Sequence, residues 1–468
     1  MRFMAINLQN IFATQDLTKG RPMHGIIRFA IPLLIGNLVQ QLYNTVDSIV
    51  VGQYVGDEAL AAVGAAGPVL NLLIVLFVGI SVGGTIMVSQ FFGAKSREDL
   101  DHTVGNTITL AFLSAIVIMI IGPLLTDPLM RLLNTPKEVH GMACDYLIIF
   151  FLGILGCSFY NIMAGVLRGL GDSVMPVVFL IVACLLNIGL DLLFVIVFNM
   201  KVAGVALATV IAQFVSAVLC VIRLMCMKDV VTIHRQFLKP SMAYTWRLIR
   251  LGLPSGASQA IFSMAALVVQ SLTNSFGTNV IACCTVVMRV DAFAMMPNFT
   301  YGTAMTTYTG QNIGARRIDR VEKGMRDGLI LACATAIILV AIILLAGPYL
   351  IGMFTKTQVV IEMGAHMLQI LAFGYLMMAV SQVFNGIMNG AGDTLTPMFI
   401  SLITTVVIRV PLAYGLANWL HSADCLFISL LISWTIGATL SALMFRFGPW
   451  RRRAVAVGSP AAEAETET

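Results

Sequence analysis

The sequence predicts an all-α membrane protein whose twelve transmembrane helices form two six-helix bundles related by a pseudo-twofold axis. Three observations support this fold class: an apolar composition, long apolar runs along the whole chain, and motifs that recur in both halves. Of 468 residues, 58% are hydrophobic and 11% are charged, and the mean hydropathy is +0.91. A soluble chain carries about 25% charged residues, so this composition indicates a polytopic membrane protein.

A run of about 20 apolar residues is long enough to cross a bilayer as a helix, and twelve runs meet this criterion. The predicted spans are 30–53, 60–88, 104–124, 141–165, 174–198, 203–226, 253–276, 280–306, 327–352, 365–388, 396–416 and 424–446. They divide the chain into an N-terminal cytoplasmic segment 1–29, an N-lobe 30–226, a cytoplasmic linker 227–252, a C-lobe 253–446 and a disordered tail 447–468.

Basic residues predict the orientation of these spans, because Lys and Arg concentrate in cytoplasmic loops. With both termini inside the cell, the external loops hold four of the 28 Lys and Arg residues: Arg131, Lys137, Lys201 and Lys356. Nearly all the others then lie on the cytoplasmic side, so this orientation is favoured. Residues 1–29 lack a continuous apolar run, and we therefore predict no cleaved signal peptide.

Two motifs recur at one constant offset along the chain and reveal an internal repeat. "QFFGAKSRED" begins at Gln90 and "QNIGARRIDR" begins at Gln311, while "RGLGD" begins at Arg168 and "NGAGD" begins at Asn389. Six spans per repeat is an even number, so the two repeats share one orientation and are related by an axis along the membrane normal. The Gly-Asp pairs predict tight turns in which the aspartate caps the next helix.

Two aspartates lie inside apolar spans and are the first candidates for function. Asp47 follows Tyr43 by one helical turn in the first span, and Asp191 follows Asn187 by one turn in the fifth. Residues i and i+4 share a helix face. An ionised carboxylate within a membrane costs several kcal/mol unless it is paired or protonated. These residues therefore predict an ion-coupling site, with hydrogen bonding inside a crowded lobe as the structural alternative.

The C-terminal half places different charges inside its spans. Arg289 and Asp291 lie two residues apart in the eighth span, a spacing that does not share a helix face. Arg409, in the eleventh span, aligns with Ile188 at the repeat offset. We predict that these residues stabilise the C-lobe, gate it or line the substrate cavity. Met295 is added as a soft cavity residue, because flexible methionine surfaces suit varied ligands.

The stretch "QLYNTVDSIVVGQYVGDEALAAVG", the motif "SQFFGA" and the paired "RGLGD" and "NGAGD" turns resemble the multidrug and toxic compound extrusion family. The resemblance covers about residues 20–446. It implies two bundles around a central cavity, export of amphipathic and cationic compounds, and coupling to inward flow of protons or sodium. It also implies the cytoplasmic (inner) membrane of a bacterium as the location, and a chain that functions as a monomer.

The resemblance also assigns roles residue by residue. It places Asp47, Asn187, Asp191, Thr209 and Tyr43 in the cation-coupling site of the bacterial and archaeal branch. Another branch has acidic residues in the seventh and tenth helices, but residues 253–276 and 365–388 contain no Asp or Glu. We therefore expect no C-lobe cation site of that kind.

These observations predict a secondary active multidrug exporter that is not an enzyme and needs no cofactor. The coupling ion is H⁺ or Na⁺, because carboxylate, amide and hydroxyl oxygens suit both. The alternative is a lipid-linked saccharide flippase of the same superfamily, which would favour a more basic cavity. No P-loop, HExxH or serine-elbow motif occurs in the sequence. The predicted partners are small amphipathic or cationic molecules and the lipid bilayer, and the net charge of +5 requires no nucleic acid.

The nine cysteines show no metal-binding spacing, and nearly all fall inside apolar runs. We interpret them as small hydrophobic residues. The six histidines lie in or near loops and span ends, which favours surface positions over a proton relay.

Overall fold

The computed structural model describes residues 14–133, 135–232, 234 and 236–455. Within them the regular structure is entirely helical. The twelve long helices are α1 (Pro22–Val50, continued by a π-helical turn Val51–Val55), α2 (Asp57–Ala94), α3 (Arg97–Leu132), α4 (Lys137–Leu152 and Ile154–Gly169), α5 (Met175–Leu192, then π-helical Leu193–Val197), α6 (Lys201–Cys226), α7 (Met242–Ser275), α8 (Thr278–Gly314), α9 (Ile318–Gly352), α10 (Gln358–Gly390), α11 (Leu395–Leu402, π-helical Ile403–Arg409 and Val410–Leu420) and α12 (Asp424–Phe447).

Each predicted span falls on one of these helices, so the all-α polytopic fold class is confirmed. Eleven helices are individually long and apolar enough to cross a membrane. The twelfth crossing is α4, whose two halves meet at Gly153 with a bend of 55° and qualify together. The chain is therefore a multi-pass membrane protein.

Several helices begin or end outside the predicted limits. α1 starts eight residues earlier than predicted, at Pro22, and α7 starts eleven residues earlier, at Met242. The start of the predicted tail also contains a short helix, α13 (Trp450–Val455). Trp450 is fully buried and its ring stacks on Phe445 at 5.0 Å between centroids. Residues 456–468 of the predicted disordered tail lie outside the described residues.

The backbone repeats with the same period as the sequence motifs. Six of the ten positions with positive φ in the described residues form three pairs: Gly56 and Gly277, Lys95 and Arg316, and Gly171 and Gly392. The members of each pair are separated by the same offset as the motifs. Such conformations are uncommon for residues with a side chain, so their recurrence indicates that the turns of the two halves have one geometry.

The chain forms two compact units, and equivalent helices of the repeat pack together within each. The first unit contains 31–256, in which α4 packs on α2, α3 and α6, and α5 packs on α6. The second unit contains 17–30 and 257–455, in which α10 packs on α8, α9 and α12, and α11 packs on α12. In each half the fourth helix therefore packs on the second, third and sixth, as expected for an internal repeat.

The early start of α1 is explained by contacts within the second unit. The backbone N–H of Met23 donates to Asp327 Oδ2 at 2.9 Å, and that of Leu17 donates to Gln311 Oε1 at 2.9 Å. The Arg320 guanidinium donates to the carbonyl oxygen of Gly20 at 2.9 Å. The first turn of a helix leaves backbone N–H groups unpaired, and the Asp327 carboxylate satisfies one of them.

The start of α7 is held in the equivalent way within the first unit. The backbone N–H of Ser241 donates to Asn106 Oδ1 at 2.7 Å, and that of Thr232 donates to Asp101 Oδ1 at 2.8 Å. The Tyr244 hydroxyl donates to Asp99 Oδ1 at 2.6 Å. Asn106 and Asp327 are equivalent positions at the repeat offset, so each repeat uses the same position to cap the start of the helix that packs beside it.

The Gly-Asp turns have the structural role that the sequence indicates. Asp172 accepts a hydrogen bond from the backbone N–H of Met175 at 3.0 Å, and Asp393 accepts one from Thr396 at 3.3 Å. Asp172 also forms a salt bridge with Arg223 at 3.0 Å. Gly171 has φ of +89°, and a Cβ there would lie 2.1 Å from the carbonyl oxygen of Gln15. This turn therefore requires glycine for both its conformation and its contact.

Glycines also bring α2 into backbone contact with the first part of α7. A Cβ on Gly83 would lie 2.6 Å from the carbonyl oxygen of Leu248 and 3.1 Å from the backbone nitrogen of Gly252. Backbone atoms cannot move aside as a flexible side chain does, so alanine at this position would separate the helices.

We predict that Gly83→Ala lowers the free energy of unfolding by about 1–3 kcal/mol, the usual cost of overpacking. Gly64→Ala is the matched control on the same helix, because a Cβ there meets no atom within 4 Å. The measurement is the melting temperature of the purified protein in detergent. Equal melting temperatures for the two variants would contradict the close contact.

Candidate functional site

The candidate site of the first unit is built around the carboxyl groups of Asp47 on α1 and Asp191 on α5. The two groups lie within hydrogen-bond reach of each other. Asp191 is fully buried, with 0% exposure, and Asp47 is partly buried. Two carboxylates this close repel when both are ionised. A single shared proton would convert this repulsion into a hydrogen bond.

Polar side chains from α1, α5 and α6 surround the two carboxyl groups. Asn187 lies one turn before Asp191 and is 1% exposed. Its Nδ2 donates a long hydrogen bond of 3.5 Å to the hydroxyl of Thr209 on α6. The hydroxyl of Tyr43, a residue 5% exposed, faces the Thr209 hydroxyl. The structure therefore brings together all five residues that the sequence predicts for the coupling site.

With both aspartates ionised, most of the oxygen atoms in this cluster have no hydrogen-bond partner among the described residues. The unpaired atoms are Asp47 Oδ1, Asn187 Oδ1, both carboxylate oxygens of Asp191 and the Tyr43 hydroxyl. A buried polar atom without a partner costs about 1–3 kcal/mol. Several such oxygens in one place can act as ligands of a cation. This set of ligands fits either a proton or sodium.

Both aspartates precede a change in helix geometry. In α1 the π-helical turn begins at Val51, one turn after Asp47, and in α5 it begins at Leu193, two residues after Asp191. π-Helical turns interrupt the regular hydrogen bonding of an α-helix and are frequent at functional sites. The carboxyl groups thus lie beside the two backbone segments of α1 and α5 that deviate most from α-helical geometry.

The second unit holds a separate charged cluster. Asp291 on α8 lies near the hydroxyl of Tyr375 on α10 and near the guanidinium of Arg409 on α11. Arg409 is 9% exposed, and its guanidinium lies 6.0 Å from the ring centroid of Phe262 on α7. Asp291 and Arg409 therefore lie close enough to interact electrostatically inside the second unit, although no ion pair of 4.0 Å or less joins them among the described residues. The Phe262 ring lies within cation–π range of the arginine.

The other two predicted residues of the C-lobe do not join this cluster. Arg289 is exposed, and no hydrogen bond or ion pair of its side chain is found in the part of the chain that the structure describes. This agrees with the i, i+2 spacing, which places Arg289 and Asp291 on different faces of α8. Met295 is 5% exposed and belongs to the hydrophobic core of the second unit, a position that favours packing over contact with a substrate.

Comparison with known proteins identifies the family of this fold and site. The MatE family model matches residues 32–193 and again residues 254–415. The chain belongs to the MatE family. The two matched segments are related by almost the same offset as the motifs, so the internal repeat of this chain is also the repeat of the family model. Because the family consists of membrane transporters, this chain is a transporter and not an enzyme.

Individual MatE proteins resemble the chain over nearly its whole length. A protein of Bacillus subtilis named "Probable multidrug resistance protein YoeA" is 30% identical over 418 residues, which cover 88% of this chain and 90% of that protein. A protein of Thermotoga maritima named "Probable multidrug resistance protein NorM" is 26% identical, over 92% of this chain and 93% of that protein.

Solved transporter structures share the fold of this chain. An outward-facing multidrug resistance MATE transporter superposes with a TM-score of 0.85 at 28% identity, covering 95% of this chain and 99% of that one. A transporter from Pyrococcus furiosus superposes with a TM-score of 0.88 at 26% identity, covering 95% and 100%. That structure is described as having a binding pocket of reverse polarity that suggests a different function.

The MatE fold adds residues to the site that sequence reasoning missed. Tyr146, on the first half of α4, is 4% exposed and lies close to both Asp47 and Asp191. No polar residue is one helical turn away from Tyr146 on its own helix to mark it as functional, so only the folded structure places it there. Gln213 lies one turn after Thr209 on α6, is 8% exposed and has an unpaired Oε1. Its i, i+4 spacing from Thr209 could have identified it from the sequence.

We predict that Asp191→Asn keeps or raises the melting temperature at pH 8, because it removes a buried charge that lacks hydrogen bonds. Asp172→Asn is the matched comparison, since Asp172 is 2% exposed but bonded to Arg223 and Met175. Loss of its charge is expected to cost about 1–3 kcal/mol. Thermal denaturation of both purified variants is the measurement. A larger loss in Asp191→Asn would indicate that Asp191 is satisfied by contacts within the lobe.

We predict that Asp291 and Arg409 couple by about 0.5–3 kcal/mol in a double-mutant cycle of Asp291→Asn and Arg409→Met. Arg409→Met alone leaves the Asp291 carboxylate without its positive neighbour, and adding Asp291→Asn restores part of the stability. A parallel cycle with Arg289→Met is the control, because Arg289 is exposed on the same helix as Asp291. Equal coupling energies in the two cycles would contradict the pairing of Asp291 with Arg409.

Proposed function

We propose that the chain exports amphipathic and cationic small molecules across the cytoplasmic membrane of a bacterium by antiport with H⁺ or Na⁺. The observation that carries this proposal is the adjacent pair Asp47 and Asp191, which lies within two predicted spans among oxygen atoms that lack hydrogen-bond partners. The names of the MatE relatives support the class of substrate. The excess of basic residues in the predicted inner loops supports an orientation with both termini in the cytoplasm.

In the proposed mechanism the carboxyl pair alternates between a loaded and an unloaded form. Binding of a proton or a sodium ion from outside neutralises the pair and satisfies oxygens that otherwise lack partners. Release to the cytoplasm restores the repulsion between Asp47 and Asp191. A cation shifts a conformational equilibrium only through different affinities for the two states, and the change in charge of the pair supplies such a difference.

Helix α1 also carries features that suit the passage of a polar molecule. Its exposed residues include Asn44, Thr45 and Ser48, although they lie within a membrane-spanning helix. Polar side chains in a span are costly against lipid and normally face the bundle interior or a water-filled cavity. α1 contains Pro32 eleven positions into the helix, and a proline inside a helix is a common cause of bending. These features support a role of α1 in both the substrate path and the conformational change.

The alternative of a lipid-linked saccharide flippase has less support among these residues. A pyrophosphate group is bound by clusters of arginine and lysine. Away from the ends of the predicted spans the arginines are Arg289, which is exposed, and Arg409, which lies near Asp291.

We predict that Asp47→Asn and Asp191→Asn each abolish ethidium efflux from cells that contain matched amounts of the protein in the membrane. Glu362→Gln is the control, because Glu362 is an exposed carboxylate at the start of α10 and belongs to neither charged cluster. Its efflux is expected to equal that of the wild type. Full efflux by Asp47→Asn would exclude the proposed coupling role of this residue.

The same efflux assay distinguishes the coupling ion. A protonophore that stops efflux, together with unchanged efflux in sodium-free medium, identifies proton coupling, and the reverse result identifies sodium coupling. Absence of ethidium efflux from cells with the wild-type protein, together with a normal melting temperature of the purified chain, would count against a multidrug substrate range.

A further inference from the structure

A second group of ligating side chains lies where α3 ends and α4 begins. The Gly-Asp turn follows the other end of α4. Asp127 is in the last two turns of α3, and His140 and Cys144 lie one turn apart at the start of α4. One oxygen, one imidazole nitrogen and one sulfur from these residues lie within 4.8 Å of one another. Only the short stretch 133–136 separates the two helices, so this group joins them across their connecting turn.

The distances within this group are close to those of a metal centre. Asp127 Oδ1 lies 3.5 Å from His140 Nε2, and Cys144 Sγ lies 3.7 Å from His140 Nδ1. Zinc binds nitrogen, oxygen and sulfur at roughly 2.0–2.3 Å in a tetrahedron, so its ligands lie roughly 3.3–3.7 Å apart. One imidazole offers one nitrogen to a given ion. Because Asp127 and Cys144 contact opposite nitrogens of the ring, a metal ion requires the Asp127 or His140 side chain to rotate, starting from ligand atoms that lie within 4.8 Å of one another.

The surroundings of the group also suit a bound cation. Arg131 forms a salt bridge of 2.9 Å with Asp127 Oδ2 and leaves Oδ1 directed towards His140. Partners that hold the second oxygen of a ligating carboxylate orient it, and they are a regular part of metal sites. The positive charge of Arg131 opposes a metal ion, but Asp145 lies near Cys144 and offsets it. The two carboxylates of Asp127 and Asp145 thus outnumber the one guanidinium near the group.

We propose that Asp127, His140 and Cys144 form a binding site for a zinc-like divalent transition-metal ion that clamps α3 to the first half of α4. Thiolate and imidazole ligands select zinc and similar ions over Mg²⁺ and Ca²⁺, which prefer oxygen. With three protein ligands, the fourth position of the tetrahedron belongs to water. This arrangement differs from closed structural zinc sites, which use four protein ligands.

The proposal revises the sequence interpretation of two residues. Cys144 is half-buried and is therefore not a fully enclosed hydrophobic residue, and His140 is not an isolated surface histidine. The sequence signal was the i, i+4 spacing of His140 and Cys144 on one helix. The spacing between cysteines alone did not show it, because the third ligand comes from a neighbouring helix.

The clamp would act on a segment that also serves the carboxyl pair. Tyr146, which lies close to Asp47 and Asp191, is two residues after Cys144 on the same half of α4. The 55° bend at Gly153 separates this half from the rest of the helix. In this proposal a metal ion therefore restrains the first half of α4, which contributes Tyr146 to the candidate coupling site.

The test uses the purified full-length protein in detergent, titrated with Cd²⁺ and followed by the ultraviolet absorption of the Cd–thiolate bond. Cys144→Ser is compared with Cys226→Ser, since Cys226 is the exposed cysteine. Cys226 is the last residue of α6, in the same unit. We expect the band to decrease strongly in Cys144→Ser and to persist in Cys226→Ser. Equal titrations of wild type and Cys144→Ser would overturn the proposal.

A second measurement checks the other two ligands and does not depend on cysteine absorption. Zn²⁺ is expected to raise the melting temperature of the wild type, and His140→Asn and Asp127→Asn are each expected to weaken this effect by about tenfold or more in zinc concentration. Mg²⁺ at the same concentrations is the control and is expected to have no such effect. A zinc-dependent shift that is unchanged in both variants would place the metal elsewhere and contradict the site.

Discussion

The cost of burying a carboxylate in a membrane is the constraint on which the first unit depends. Asp191 is fully buried, and neither of its oxygens receives a hydrogen bond from the described residues. A charge in this position is unfavourable, so the site is stable only when a proton or a cation compensates it. The surrounding amide and hydroxyl groups do not neutralise Asp191, but they supply further oxygens to whatever does. In the proposed mechanism, the cost of the uncompensated charge is what makes the site responsive to an ion.

The two repeats have similar backbone geometry but carry different charged residues in their spans. The turns at Gly171 and Gly392 and the caps at Asn106 and Asp327 recur at the same offset. The charged clusters do not recur. The first unit pairs two acids, whereas the second unit places Arg409 at the position equivalent to Ile188 and has Asp291 near it. Function therefore resides in the side chains placed on a duplicated scaffold and not in the scaffold itself.

Local patterns account for most of what the sequence predicts correctly. Apolar runs locate twelve spans, and i, i+4 spacing identifies Asp47 and Asp191 with their helical neighbours. The errors arise where tertiary contacts decide. α1 and α7 begin earlier than hydropathy indicates, because Asp327 and Asn106 hold their polar first turns. Tyr146 joins the site through the packing of α4, and a single-sequence pattern contains no information on that contact.

The position of the irregular backbone connects the charge of the site to a movement of the helices. In both α1 and α5 the helix departs from α-helical hydrogen bonding just after the aspartate. π-Helical segments are rare interruptions of α-helices and are frequent at functional sites. In the proposed mechanism, neutralising the pair removes a repulsion between these two helices at the point where each departs from α-helical hydrogen bonding. The proposed mechanism therefore predicts that the change of helix geometry on ion binding is concentrated at the π-helical segments that follow Asp47 and Asp191.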